Sequence, residues 1–297
     1  MTAKKNGFFV AKKKCMLYNQ SSKTEKVSFE FNKKEAVMGK AIAIFNQKGG
    51  VGKTTTNINL AACLAIEGKK VLVMDIDPQG NTTSGLGVSK KGLDTTMYEI
   101  LLDDETDPAK AILHTSVEGM DLIPANVQLA GAEVELVGIE GRETRLKKAM
   151  DKLKKDYDYI FIDCPPSLGL LTINSLTAVD SVLIPIQCEF YALEGVSQLV
   201  STIEIVKKNL NKDLEVEGVI LSMFDGRTKL SIQVVEEVKK YFGDKVYTTV
   251  IPRNVRLAEA PGFGMPIAQY DPRSTGARAY TAFAKEFLSL EEENNGR

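Results

Sequence analysis

Asn46-Gln47-Lys48-Gly49-Gly50-Val51-Gly52-Lys53-Thr54-Thr55 follows an apolar run at 41–45 and opens a helical pattern over 54–67 that Gly68 ends. A strand that runs into a glycine-rich turn and then a helix is the setting of a phosphate-binding loop. Glycines let the backbone curl so that its N–H groups converge on phosphate oxygens, and the helix N-terminus adds partial positive charge. Gln47, Lys48, Gly49, Gly50, Val51, Gly52, Lys53, Thr54 and Thr55 are therefore the expected cradle. In it Lys53 contacts the β and γ phosphates, and the Thr54 hydroxyl is a ligand for Mg²⁺. The usual spacing GxxxxGK[ST] fails here, because Gln47 stands where its first glycine belongs and Lys48 with the Gly49-Gly50 pair follow instead.

Around this loop the pattern alternates. Further apolar runs of strand length lie at 71–76, 159–162, 181–186, 218–223 and 246–251, with helical periodicity at 142–154, 171–178, 193–209 and 229–242. Strands that are apolar throughout are buried on both faces, and parallel strands need helical crossovers. The expected fold is α/β: a doubly wound, mostly parallel sheet flanked by helices.

The chain has 297 residues with 38 Lys and Arg against 39 Asp and Glu, a net charge of −1. A chain of this length buries roughly 75% of its unfolded surface and needs no disulfide or metal staple. Near-neutral charge excludes nucleic-acid binding by total charge, so any such contact needs a local patch. His114 is the single histidine, which excludes zinc triads and Ser-His-Asp chemistry. Cys15, Cys63, Cys164 and Cys188 form no CxxC pair and read as reduced thiols. No run reaches the ~18 apolar residues of a membrane span, and the stretch 7–11 is too short for a signal peptide, so a cytoplasmic protein is expected. Residues 1–37 are Lys-rich and aperiodic, and are expected to be a disordered extension outside the core. Met38 is an alternative start, since 34–36 can be encoded by a ribosome-binding run. The main domain is expected over 38–290, with 291–297 a frayed acidic end.

Three carboxylates stand at strand ends. Asp163 closes an apolar run, a costly place for a charge unless a cation or donors compensate it, and holding Mg²⁺ directly or through water would do so. Asp77 lies just past another strand, where it orients the attacking water or caps the turn before Pro78; Asp75 supports that loop.

The stretch 48–54, Lys-Gly-Gly-Val-Gly-Lys-Thr, resembles the deviant Walker A loop of the ParA/MinD ATPases, a branch of the P-loop NTPases. The resemblance covers about 38–285. Residues 75–81 resemble the family's second acidic motif, 163–167 its Walker B and switch II, and 251–256 its adenine-side loop. Tyr191-Ala192-Leu193-Glu194-Gly195 resembles the Soj-type chromosomal ParA proteins. The resemblance implies ATP and Mg²⁺ as cofactors, with Pro252, Arg253 and Asn254 beside the adenine. It implies an ATP-sandwich homodimer in which Lys48 reaches the partner's phosphates, with Lys48, Lys53 and Asp77 as the catalytic set. It also implies non-specific binding of double-stranded DNA on the nucleoid, ended by hydrolysis that a ParB-type partner stimulates.

For the DNA contact, Arg227 and Arg253 are the first candidates, followed by Arg256, Lys239 and Lys240; with acidic residues interspersed, the same positions also read as solvated faces. The main alternative is a MinD-like, membrane-associated ATPase that positions the division site. It needs a basic amphipathic C-terminal helix, whereas 283–293 is acidic and anionic lipid would repel it. An electron-transferring iron protein lacks its paired cluster cysteines here, and 1–37 is too short for the helix-turn-helix domain of larger plasmid ParA proteins. A small-molecule kinase stays open.

Overall fold

Beyond its first residue, strand β1 (Lys40–Ile44) is wholly apolar and buried, because helices cover both of its faces. A computed structural model describes residues 38–189 and 194–295 of the chain, all within a unit that spans 36–297. The extension expected at 1–37 and residues 191–193 of the Soj-like stretch lie outside the described residues. The other strands are β2 (Val71–Asp75), β3 (Leu113–His114), β4 (Met120–Ile123), β5 (Tyr159–Asp163), β6 (Ser181–Gln187), β7 (Glu215–Phe224) and β8 (Val246–Pro252). They form one sheet in the order β3-β4-β2-β5-β1-β6-β7-β8. All pairings are parallel except that of β3 with β4.

Strand periodicity divides the core into two layers. Ala41 and Ala43 of β1 and Ile160 and Ile162 of β5 face one cluster; Ile42, Ile44 and Phe161 face the other. The first layer packs under helices Arg145–Leu153, Leu170–Ala178, Glu194–Asn209 and Lys229–Phe242, the second under Lys53–Ile66 and Thr275–Asn295. The doubly wound architecture expected from the alternation is thus the observed one. Parallel register also aligns chemistry: Asp163 pairs with Asp75 on β2 and with Ile44 on β1, so the acidic strand ends and the glycine loop share one edge.

The acidic end departs from the fraying expected after residue 290. Helix Thr275–Asn295 continues into it as far as Asn295, burying Tyr280, Phe283, Ala284 and Phe287 on its inner face. Glu291 is only 7% exposed, and its carboxylate accepts from Lys40 Nζ at 2.6 Å, while the same ammonium lies 2.7 Å from Glu217 on β7. A carboxylate that composition alone would leave in water is buried here because a cation waits for it.

Candidate functional site

The loop after β1 is braced on every side. Asn46 accepts from Lys48 N at 3.0 Å and donates to the Pro185 carbonyl at 2.8 Å, and Ser222 Oγ of β7 donates to the Val51 carbonyl at 2.7 Å. Gly50 and Gly52 have φ of +74° and +93°, a backbone that side chains resist, and Gly52 leads helix Lys53–Ile66 with no side-chain cap. That leaves the first-turn N–H groups for an anion.

A cavity of about 360 Å³ opens there, lined by Gly49, Gly50, Gly52, Lys53, Thr54, Thr55 and Asp77 among others. Lys53 is 8% exposed, and its Nζ donates to the Lys48 carbonyl at 3.1 Å. Burial lowers the pKa of its ammonium, against an opposing pull from Asp163. Three further loop residues do not line this cavity. Val51 is buried in the core, and the Gln47 side chain donates to Thr202 Oγ1 of helix Glu194–Asn209 at 2.8 Å. Lys48 lines a separate small cleft with Ile186, Val196 and Leu199.

The carboxylates divide the work. Asp75 is wholly buried and accepts from Thr83 N, Thr83 Oγ1 and Asp77 N at 2.8, 2.7 and 3.2 Å, so it holds the following loop in shape. Asp77 uses Oδ1 to accept from Gln79 N at 2.9 Å, a turn-capping bond, while also lining the phosphate cavity. Asp163 Oδ2 accepts from the hydroxyls of Thr54 and Thr82, each at 2.8 Å; its Oδ1 is buried without a hydrogen-bond partner. Burial raises the carboxyl pKa of Asp163 and Asp75, and their mutual repulsion raises that of Asp75 further.

An orphaned carboxylate oxygen beside a threonine hydroxyl is a fit for Mg²⁺, which takes one or two protein oxygens and fills its octahedron with phosphates and water. Among the described residues, no group of three acidic, thiol or imidazole side chains forms a metal cage of its own.

A second cavity of about 320 Å³ adjoins the first, sharing Gly52, Thr55 and Met223, and is lined by Pro252, Arg253 and Asn254 with Ile251, Leu257 and Tyr280. Asn254 is committed to structure within it. Its Oδ1 caps helix Val255–Glu259 by accepting from Leu257 N at 3.3 Å, and its Nδ2 donates to Thr275 Oγ1 at 2.6 Å. Met223, where the two cavities meet, has a φ of +52°, the one non-glycine residue at positive φ among the described residues. Such strain persists only where surrounding structure enforces it, and it gathers at functional sites. Thr82, Ser222, Met223 and Tyr280 escaped the sequence reading; only the hydroxyl pair Thr82-Thr83, just after the second acidic motif, offered a signal.

Residues 39–216 match the family described as AAA domain. Sporulation initiation inhibitor protein Soj of Bacillus subtilis (strain 168) is 65% identical over 249 residues, 84% of this chain and 98% of that protein. This chain belongs to the Soj/ParA family of chromosome-partitioning ATPases. The chromosome partitioning protein ParA of Myxococcus xanthus (strain DK1622) is 52% identical over 88% of this chain and 92% of its own length. Among solved structures, cobyrinic acid a,c-diamide synthase from Mycobacterium smegmatis, with bound ADP and magnesium, superposes with a TM-score of 0.75 at 40% identity, covering 88% of this chain and 97% of that one. The P-loop fold and the ParA/MinD resemblance are thereby established.

In this Soj/ParA chain the basic candidates are exposed but mostly paired. Arg227, its side chain 90% exposed, forks onto Asp225 through Nε and Nη2 at 2.8 and 2.7 Å and holds that carboxyl down at about 2. Arg253 pairs with Glu189 at 2.9 Å, Arg256 with Glu259 at 2.7 Å and Asp271 at 3.6 Å, and Lys240 with Glu237 at 2.6 Å. Arg227 and Arg253 flank Asp225 at the ends of β7 and β8. Lys239 and Lys240 stand in the last turn of helix Lys229–Phe242, roughly 15 Å along its axis from its first residue.

Proposed function

We propose that this chain binds ATP with Mg²⁺ in the joined cavities, forms a face-to-face dimer around two nucleotides, and in that state holds double-stranded DNA on the nucleoid without reading sequence. A ParB-type partner then stimulates hydrolysis and releases it. The observation that carries this is Asp163, whose buried, unpartnered Oδ1 lies beside the Thr54 hydroxyl and within the field of Lys53. Bound Mg²⁺ would neutralise phosphate charge as it develops. Asp163 and Thr54 would hold the ion, Lys53 and the Gly49–Thr55 backbone would orient the phosphates, and Pro252 and Ile251 would enclose the base. Asp77, 9% exposed at the cavity wall, would orient the water. The place of Lys48 in a cleft apart from its own phosphate cavity supports a role on the partner's nucleotide.

The MinD-like membrane reading has less support. The apolar face of helix Thr275–Asn295 is spent on the core, and among the described residues no helix is long and apolar enough to cross a membrane. The test is co-sedimentation with duplex DNA in ATP, ADP and no nucleotide. ATP-dependent, sequence-independent retention is the expected result, and equal binding in all three would refute the reading.

A further inference from the structure

Thr82 spends its hydroxyl in a way unusual for a buried helical threonine. Such hydroxyls ordinarily return to a carbonyl one turn back, as Thr177 does to Ile173 at 2.7 Å, Ser175 to Leu171 at 3.0 Å and Thr281 to Ala277 at 3.0 Å. Thr82, in the short helix Asn81–Gly85, instead donates across to Oδ2 of Asp163 at 2.8 Å. Behind it, Asn57 of helix Lys53–Ile66 donates from Nδ2 to the same hydroxyl oxygen at 3.3 Å. Asn57 and Thr82 are both fully buried, and Asn57 Oδ1 has no hydrogen-bond partner. An apolar residue at 57 would avoid that cost, so packing alone does not account for the amide.

Three elements therefore converge on one carboxylate. Thr54 and Asn57 are three residues apart and share a helix face, which reaches Asp163 directly through Thr54 and a second time from Asn57 through Thr82. The next residue, Thr83, donates its own hydroxyl to Asp75 Oδ2 at 2.7 Å. Consecutive threonines thus hold two like-charged carboxylates that stand paired across β2 and β5.

The two hydroxyls on Asp163 Oδ2 are not equivalent. Thr54 lines the phosphate cavity, and its oxygen is the one that would also serve as an ion ligand. Thr82 lines neither nucleotide cavity, so its bond to Asp163 does not compete with a ligand. Two donors on Oδ2 fix the rotation of the carboxylate and leave Oδ1 without a protein partner. Partners of this kind orient a metal-binding group and tune its affinity without touching the ion.

We propose that Thr82, itself held by Asn57, is a positioning residue that sets the Asp163 carboxylate for Mg²⁺. The inference rests on the proposed placing of the ion at Asp163 and Thr54. The test uses the full chain and a fluorescent ADP analogue, with affinity measured in EDTA and across a titration with MgCl₂. Thr82→Val keeps the shape of the side chain and deletes the hydroxyl. It should raise the Mg²⁺ midpoint about tenfold, the low end for losing a partner that orients a metal ligand, and leave affinity in EDTA unchanged. Thr82→Ser should restore the midpoint. Asn57→Ala should raise it severalfold and add nothing in the Thr82→Val background, since both act through one hydroxyl. Should Thr82→Val fail to fold, Asn57→Ala decides by the same midpoint. An unchanged midpoint overturns the inference. So does an equal loss of affinity with and without Mg²⁺, which would make Thr82 a structural residue only. A wild-type chain whose nucleotide affinity ignores Mg²⁺ overturns the metal site itself, and this inference with it.

Discussion

Thr54 and Asp163 stand 109 residues apart in the chain and are joined by a 2.8 Å hydrogen bond from the hydroxyl to Oδ2. Parallel pairing of β1 with β5 brings the start of the first helix against the end of a distant strand. The sheet thus holds the hydroxyl and the carboxylate together, at the expense of a buried, half-satisfied carboxylate.

That expense is measurable. The raised carboxyls of Asp163 and Asp75 mean that the folded chain binds more protons than the unfolded one, so their contribution to stability is full below about pH 4 and is lost as pH rises through the folded values. Asp163→Asn should relieve on the order of 1 kcal/mol at neutral pH, raising Tm by roughly 2–4 °C and flattening its pH dependence, while abolishing Mg²⁺-dependent nucleotide binding. Calorimetry without nucleotide and a titration with Mg²⁺ check the two halves; a lowered Tm would contradict the first.

The two lysines of the loop should separate. Lys53→Ala removes a buried ammonium from the phosphate cavity and should weaken nucleotide binding at least tenfold. Lys48→Ala, at a cleft outside that cavity, should leave binding near wild type while losing the dimer and hydrolysis. Nucleotide titration and size-exclusion chromatography with a non-hydrolysable analogue report these effects, and a Lys48→Ala protein that dimerises normally would rule out its cross-subunit role.

Asp77→Ala should trap the ATP-bound dimer and prolong its stay on DNA, since Thr54 and Asp163 remain. Its one turn-capping bond, to Gln79 N, limits the structural damage to about 1 kcal/mol. If the variant neither dimerises nor retains DNA, the turn is its whole role.

Arg227 is held by Asp225, so the two changes should act in opposite directions on DNA. Arg227→Ala should reduce the slope of log affinity against log salt by roughly one per contact, equally for all sequences; Asp225→Asn should free the guanidinium and tighten binding. Arg253→Ala needs a nucleotide-binding control, because Arg253 also lines the adenine cavity. Unchanged slopes with an intact dimer would put the contact elsewhere.

Phe287 packs edge-on against Tyr159 at 5.4 Å and lies 6.3 Å from Phe161, with no exposure. Phe287→Ala should cost about 3–5 kcal/mol by chemical denaturation. A loss under 1 kcal/mol would show that the terminal helix contributes little to the second core layer.

Local signals on this chain made the repeating strands, the first helix and the phosphate loop legible, because periodicity and glycine spacing act over a few residues. β2, expected at 71–76, is found at Val71–Asp75, and helix Lys229–Phe242 agrees at both ends. Short β3 and β4 gave too little periodicity to see, and the acidic composition after residue 290 hid the last turn of helix Thr275–Asn295, whose Glu291 carboxylate finds Lys40 from the far end of the chain. Thr82, Ser222, Met223 and Tyr280 meet the loop only because the sheet order brings three separate elements to one edge. Arg227 with Asp225 and Arg256 with Glu259 are neighbours in the sequence, whereas the pairing of Arg253 with Glu189, 64 residues away, was likewise settled in three dimensions, since an ion pair depends on distance in space.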